Sequence, residues 1–260
     1  ANLSVSDDID PAQTDDDYSQ KNFNLVLFDG NGSSNAVTGL GFKPDLIWGF
    51  TRSASQSKRM VDSTRGGSER LYSDLGDAAS TGTATISAFG TDGFTATQPG
   101  GFSIITYTGT GSNATIGHGL SSAPNFFMTK DRGRAESWAV YHSSLAATNY
   151  ITLDTYAKSY ANSNRWNNTE PTSTVFSLGT NDNVNGSSAN YVAYAWHNVE
   201  GYQKFGSYEG NGNADGPFVY TGFRPRMLFI KNSEQDANWM VYDTARSTFN
   251  VVENYLFWGQ

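Results

Sequence analysis

The chain contains no cysteine. Disulfide staples, thiolate metal sites and cysteine nucleophiles are therefore excluded, and the redox compartment is left open. Charge is also sparse: Asp, Glu, Lys and Arg make up 16% of the residues, with a formal net charge of −8. None of the 17 Lys and Arg residues form a long run. Phosphate contacts need clustered cations, so no nucleic-acid partner is expected. No apolar run approaches the roughly 18 residues that a membrane helix needs, and no basic stretch followed by an apolar core marks a signal peptide. Membrane insertion is not expected. Histidine is limited to His118, His142 and His197, which lie in different segments, so no spacing suggests zinc or a Ser-His-Asp arrangement.

What the chain has in quantity is glycine (27 residues) and aromatic side chains (14%), alongside many Ser, Thr and Asn. That profile is poor in helix formers and rich in turn formers, which predicts an all-β protein. Phe23, Leu25 and Leu27 alternate with Asn24 and Val26 in the period of a half-buried strand, and Phe102–Tyr107 and Tyr191–Trp196 share the aromatic β pattern. No stretch of twelve residues repeats apolar positions at helical spacing between caps, so any helix should be short.

The chain says nearly the same thing three times. FDGNGSSNAVTGLGFKP (Phe28 to Pro44), YTGTGSNATIGHGLSSAP (Tyr107 to Pro124) and YEGNGNADGPFVYTGFRP (Tyr208 to Pro225) each run from an aromatic residue through Gly-x-Gly to a proline at near-constant spacing. Two apolar stretches follow each proline: Leu46-Ile47-Trp48 and Met60-Val61-Asp62, then Phe126-Phe127-Met128 and Ala139-Val140-Tyr141-His142, then Met227-Leu228-Phe229 and Met240-Val241-Tyr242-Asp243. ISAFGTDG from Ile86 echoes VFSLGTND from Val175, and the third copy reaches Gln260 without such a closing stretch. The division expected is an acidic N-terminal arm or linker over 1–21, rich in Asp, then module one over 22–101, module two over 102–204 and a partial module three over 205–260. The architecture expected is tandem antiparallel β-sandwich modules, lectin-like or jelly-roll-like.

The repeats supply an internal test for each candidate site. A phosphate cradle needs a helix after its glycines and none is signalled, so the Gly-x-Gly units read as tight turns. Asp62 and Arg65 recur as Asp243 and Arg246, whereas the second copy has His142 and Leu145 in their places. Joint loss of both partners is what a structural ion pair predicts, since removing one alone strands a charge. Lys130 and Lys231 are equivalent, with Phe50 in the first copy, and Trp138 and Trp239 follow eight residues later. These four read first as cation–π packing, with contact to a glycan or a protein partner as the alternative. NDNVNG (Asn181 to Gly186) lacks the charged ligands of a calcium loop and reads as a turn. Glu209 and Asp92 are the carboxylates considered for a glycan depolymerase, which would need two acids placed across one cleft. No catalytic, metal or cofactor-binding residue is assigned.

FSIITYTGTGSNATIGHGLSSAPNFFMTKDR, WAVYHSSLAATNYITLD, NYVAYAWHNVEGYQKFGSYEGNGNADGPFVYTGFRPRMLFIKN and NWMVYDTAR together resemble the tandem modules of structural proteins from marine tailed phages, including cyanophages. VTGLGFKPDLIW and MVDSTRGGSERLYSD are similar to the opening module of that family, although Gly49-Phe50 stands where the family commonly has an apolar residue and Lys. The resemblance implies a non-enzymatic virion protein, made in the bacterial host cytoplasm and carried on the particle. A fibre, knob or surface appendage is expected, a homo-oligomer with trimers favoured, in contact with other virion proteins and a host-surface glycan. A capsid decoration or tail adaptor without a host ligand is the alternative, and a depolymerase the alternative of another class. The third module is expected to be incomplete, completed by another chain, or differently built.

Overall fold

The structure is a computed structural model that describes residues 23–30, 36–38, 40, 42–52, 56–81, 101–247 and 252–258. The acidic arm and Asp92 lie outside the described residues. Strand accounts for 33% and helix for 5%, so the protein is all-β, and its sheets are antiparallel throughout.

The first copy forms β1 (Leu46–Gly49), β2 (Arg59–Asp62), β3 (Glu69–Tyr72) and β4 (Ser80–Thr81), paired in chain order. The second contributes β5 (Phe102–Thr108), β6 (Ala114–Gly117), β7 (Phe126–Asp131), β8 (Ala139–His142), β9 (Asn149–Thr152) and β10 (Tyr160–Ala161). The one-turn helix α1 (Ser163–Trp166), β11 (Val175–Leu178), the one-turn helix α2 (Asp182–Asn185) and β12 (Asn190–Trp196) complete it. Its main sheet runs β10-β9-β8-β7-β12-β5, and β6 pairs with β11 in a separate ribbon. The third copy forms β13 (Met227–Ile230), β14 (Trp239–Asp243) and β15 (Tyr255–Trp258).

The repeat seen in the sequence is a three-stranded meander with a constant register. Leu46 faces Asp62, Phe126 faces His142 and Met227 faces Asp243; Met60 faces Leu71, Val140 faces Ile151 and Val241 faces Leu256. Because side chains alternate across a strand, this register fixes which residues point inward. Met60 and Leu71, Val140 and Ile151, and Val241 and Leu256 all turn into one core shared by the three copies. The modules are therefore not separate globules in a row.

The second copy's sheet is covered on both faces. Val192 and Tyr194 of β12 enter the shared core, while Ala193 and Ala195 enter a second core with Phe127, Tyr141, Trp166 and Phe176 beneath the β6/β11 ribbon. That two-sided burial makes β12 a nearly continuous apolar run. Phe23–Phe28, expected to be a strand, makes no ladder among the described residues. Its counterpart β5 is held by β12, and no such partner lies beside it there.

The copies are locked by a recurring joint. Trp138 donates its indole N–H to the Tyr72 carbonyl at 2.9 Å, and the amide of Ala79 donates to the Arg132 carbonyl at 2.9 Å. One repeat later, Trp239 donates to Thr152 at 2.8 Å and Ser159 donates to Ser233 at 3.0 Å. The third copy closes back on the first through Trp258, whose indole reaches the Ser73 carbonyl at 2.9 Å and packs edge-on to Trp48 with ring centres 3.9 Å apart.

Two expectations follow. Trp138→Phe keeps a ring but removes the indole bond to the Tyr72 carbonyl, which retains only the longer bond from the Leu75 N–H at 3.4 Å, and should cost about 0.5–1.5 kcal/mol in denaturant melts. The protein should unfold in one calorimetric transition, whereas three separable steps would show the copies to be independent domains.

Candidate functional site

The polar groups gather where the first and second copies meet. Asp62 accepts from the Arg65 backbone N–H at 2.9 Å and from its guanidinium Nε at 2.5 Å, so the side chain caps its own turn and holds a buried ion pair. Tyr194, reaching across from β12, donates to Asp62 at 2.5 Å and accepts from Arg65 at 2.9 Å. The third copy repeats the turn: Asp243 accepts from the Arg246 N–H at 2.9 Å and from its Nε at 2.5 Å. The second copy has the motif too, displaced by one strand. In Asp131-Arg132-Gly133-Arg134, Asp131 accepts from the Arg134 N–H at 3.0 Å and its Nε at 2.6 Å, and Arg134 donates to Tyr191 at 2.9 Å. The same Asp-x-x-Arg spacing could have revealed this pair, but it follows β7, whereas its counterparts follow β2 and β14.

A cavity of about 530 Å³ opens beside these groups, lined by Glu69, Thr81, Asp131, Arg132, Arg134 and Asn190 among others. Both of its carboxylates are already engaged. Arg132 grips Glu69 with two bonds, at 2.8 and 2.7 Å. Burial pushes the Glu69 carboxyl upward, yet the bonds and charge of Arg132 and Arg65 outweigh it and hold the group below its ordinary value. A carboxylate held ionised by arginine is a poor proton donor, the opposite of what a glycosidase acid requires.

The Lys and Trp candidates sit at or beside the joints between copies, in the packing role rather than on an open platform. Trp138 is fully buried and Trp239 is 4% exposed. Lys130, also fully buried, donates to the carbonyls of Asp131 and Arg134. Lys231 is half-buried and donates to Ala237 at 2.6 Å and, across the joint, to Tyr156 at 3.0 Å. Each amine ties down loop carbonyls beside an interface between copies. Burial lowers the Lys130 amine to about 8, against partial compensation from nearby carboxylates.

The Gly-x-Gly unit has a second purpose besides turning. Gly111 and Gly212 adopt φ of +70° and +69°, the turn conformation expected of them. Gly109 is needed for close approach: a Cβ there would lie 2.1 Å from the Gly186 carbonyl oxygen. Around it, Thr110 N–H donates to the Asn185 side chain at 2.8 Å, Gly111 N–H to the Asn185 carbonyl at 2.9 Å, and Tyr107 hydroxyl to the Val184 carbonyl at 2.7 Å. The segment read as a turn, Asn181 to Gly186, is thus a one-turn helix capped by Asn181 that anchors the glycine unit. At Gly30 and Gly210, by contrast, no described residue lies within 4 Å of where a Cβ would be. Glu209, beside Gly210, is exposed.

A family model matches residues 18–100 and, separately, 95–258. The chain belongs to that family, described as Domain of unknown function (DUF7483). No curated protein and no solved structure matches it. Within this DUF7483 chain, no group of three or more acidic or histidine side chains among the described residues could hold a metal ion. Among the described residues most of the large aromatic side chains that face solvent lie in the third copy, Tyr208 (50%), Phe218 (90%), Tyr220 (78%), Tyr255 (45%) and Phe257 (50%) among them, with Phe28 exposed in the first copy and Tyr156 and Tyr160 in the second.

Asp62→Leu should destabilise the protein by about 3 kcal/mol because it leaves buried Arg65 with only its longer ion pair to Glu69 at 3.6 Å; Asp62→Leu with Arg65→Leu should cost less than the single change, as read by urea melts. Lys130 gives a pH signature. Its folded value near 8 lies below the ordinary 10.5, so the unfolded chain binds more protons between those values and stability rises with pH across that window. The urea midpoint of the native protein relative to Lys130→Met should climb from pH 8 to 10.5 and be flat below pH 7.

Proposed function

We propose that this protein is a non-enzymatic structural component of a tailed-phage particle, a fibre, knob or surface appendage that is made in the host cytoplasm and joins other virion proteins as a homo-oligomer, most simply a trimer. The observation that carries this reading is the division of its aromatic residues. Those at the joints, Trp239 and Trp258 of the third copy among them, weld three copies into one body, while Tyr208, Phe218, Tyr220, Tyr255 and Phe257 of the third copy stay exposed. A rigid body with an exposed aromatic face suits protein–protein assembly, because aromatic side chains supply large contact areas at small entropic cost. The run of motifs shared with phage structural modules supports the same setting.

The cavity at the first joint supports a non-enzymatic role, since its acids are neutralised by arginine. Adhesion to host-surface glycans belongs to this proposal as a second task. With Trp138 and Trp239 buried, such contacts fall to exposed rings such as Tyr208, Tyr220 and Tyr255.

Immunogold labelling of particles purified from infected cultures, with antibody against this chain, should place gold on the particle surface at a fixed location. Particles free of label and of its peptides by mass spectrometry would overturn the reading, as would release of reducing ends from host polysaccharide by the purified protein.

A further inference from the structure

The β6/β11 ribbon covers the second core, and one buried histidine sits where its loops are tied down. His118, 1% exposed, follows β6 directly. Its Nε2 lies 3.1 Å from the Thr172 carbonyl oxygen, and its Nδ1 accepts the Leu120 N–H at 3.0 Å. A carbonyl only accepts and an amide N–H only donates, so these partners fix the ring as the neutral tautomer with its proton on Nε2. The His118 backbone N–H donates to the Thr174 carbonyl at 3.3 Å. One residue thus joins the loop that leaves β6 to the segment that enters β11. It also holds Leu120, which packs against the second core together with Ile116. His197, just past β12, reaches the same loop: its Nδ1 donates to the Asn198 carbonyl at 2.6 Å and its Nε2 lies 3.1 Å from the Ser121 hydroxyl. A hydroxyl can accept as well as donate, so His197 keeps both partners when it gains a proton. His118 does not, because a second ring proton would set Nδ1–H against the Leu120 N–H.

We propose that His118 is an acid-sensitive latch: protonation of its ring releases the β6–β7 loop at Leu120 and loosens the ribbon from Phe127, Tyr141 and Trp166 of the second core. Its surroundings offer the added proton no anion. Thr172 and Thr174 before β11, Ser103 of β5 beside Gly119, and Ser121 of its own loop are uncharged, and the titratable group that acts on the ring is His197. Burial lowers His118 from its ordinary value; the bond to the Thr172 carbonyl raises it in part, and the charge of His197 lowers it again. In an opened loop the ring regains its ordinary value of 6.5. The open form therefore binds more protons between the two values, and opening grows as pH falls through that window. His142 is also lowered by burial, but its ring caps the turn after β8 by accepting from the Ser144 N–H at 3.0 Å, so it supplies a control.

Amide hydrogen exchange followed by NMR on the full chain tests this. Protection at Ala114–Gly117, Leu120 and Val175–Leu178, corrected for the intrinsic effect of pH, should fall by up to tenfold per pH unit below 6.5, the limit for one proton. Protection at Tyr191–Trp196 should hold over the same range. His118→Asn keeps a side-chain oxygen that can accept the Leu120 N–H and has no titrating group, so its ribbon should show a flat profile, while His142→Gln should keep the native slope. In the native protein the His118 ring resonances should titrate together with the ribbon amides, a readout that stands whether or not the Asn variant folds. A ribbon that keeps its protection or loses it only together with β12, a His118 ring that stays neutral while the ribbon opens, a slope that survives His118→Asn, or one that disappears in His142→Gln would each overturn the proposal.

Discussion

Everything in this molecule depends on a tryptophan N–H finding a carbonyl in the neighbouring copy. A buried indole must place its donor, and a strand-end carbonyl must find one, so each joint satisfies two obligations with one bond while burying a large ring. Trp138 and Trp239 do this at equivalent positions, and Trp258 does it from a different strand to close the set. The inward faces of the three meanders then have a common destination, and a chain with modest apolar content obtains a continuous core instead of three small ones.

Polar side chains work within the same frame. The three Asp-x-x-Arg turns hold the loops after β2, β7 and β14, and two of them are tied to tyrosines of β12. Strand β12 is therefore the element on which the most is anchored: it pairs on both edges, feeds both cores and receives the hydroxyl-mediated links. In the second copy β12 draws the glycine unit and the strand beside it into the sheet.

The repeat, the all-β class, the short helices and the strands at Phe102–Tyr107 and Tyr191–Trp196 were legible because they rest on local spacing and composition. The Asp62/Arg65 and Asp243/Arg246 pairs were legible because two copies could be compared. Trp138 and Trp239 were recognised as equivalent but not as joints, since spacing cannot tell a ring that faces solvent from one that faces the next copy. The strand expected at Phe23–Phe28 shows the same limit: alternation grants the capacity to pair, and only a neighbouring strand realises it. Gly109 was beyond reach because its reason, a carbonyl 2.1 Å from where a Cβ would be, belongs to residues far along the chain.

The first copy departs from the other two at one position. Lys58 stands where they have Trp138 and Trp239, and it pairs with Asp74 of its own copy at 3.2 Å. A unit whose leading and trailing surfaces match can add partners without limit, as heterologous contacts do when they build filaments. The exchange of an indole for a charged amine gives the first copy a one-sided joint: it receives a ring from its successor and has none of its own at the matching position, where the amine is spent on a carboxylate of the same copy.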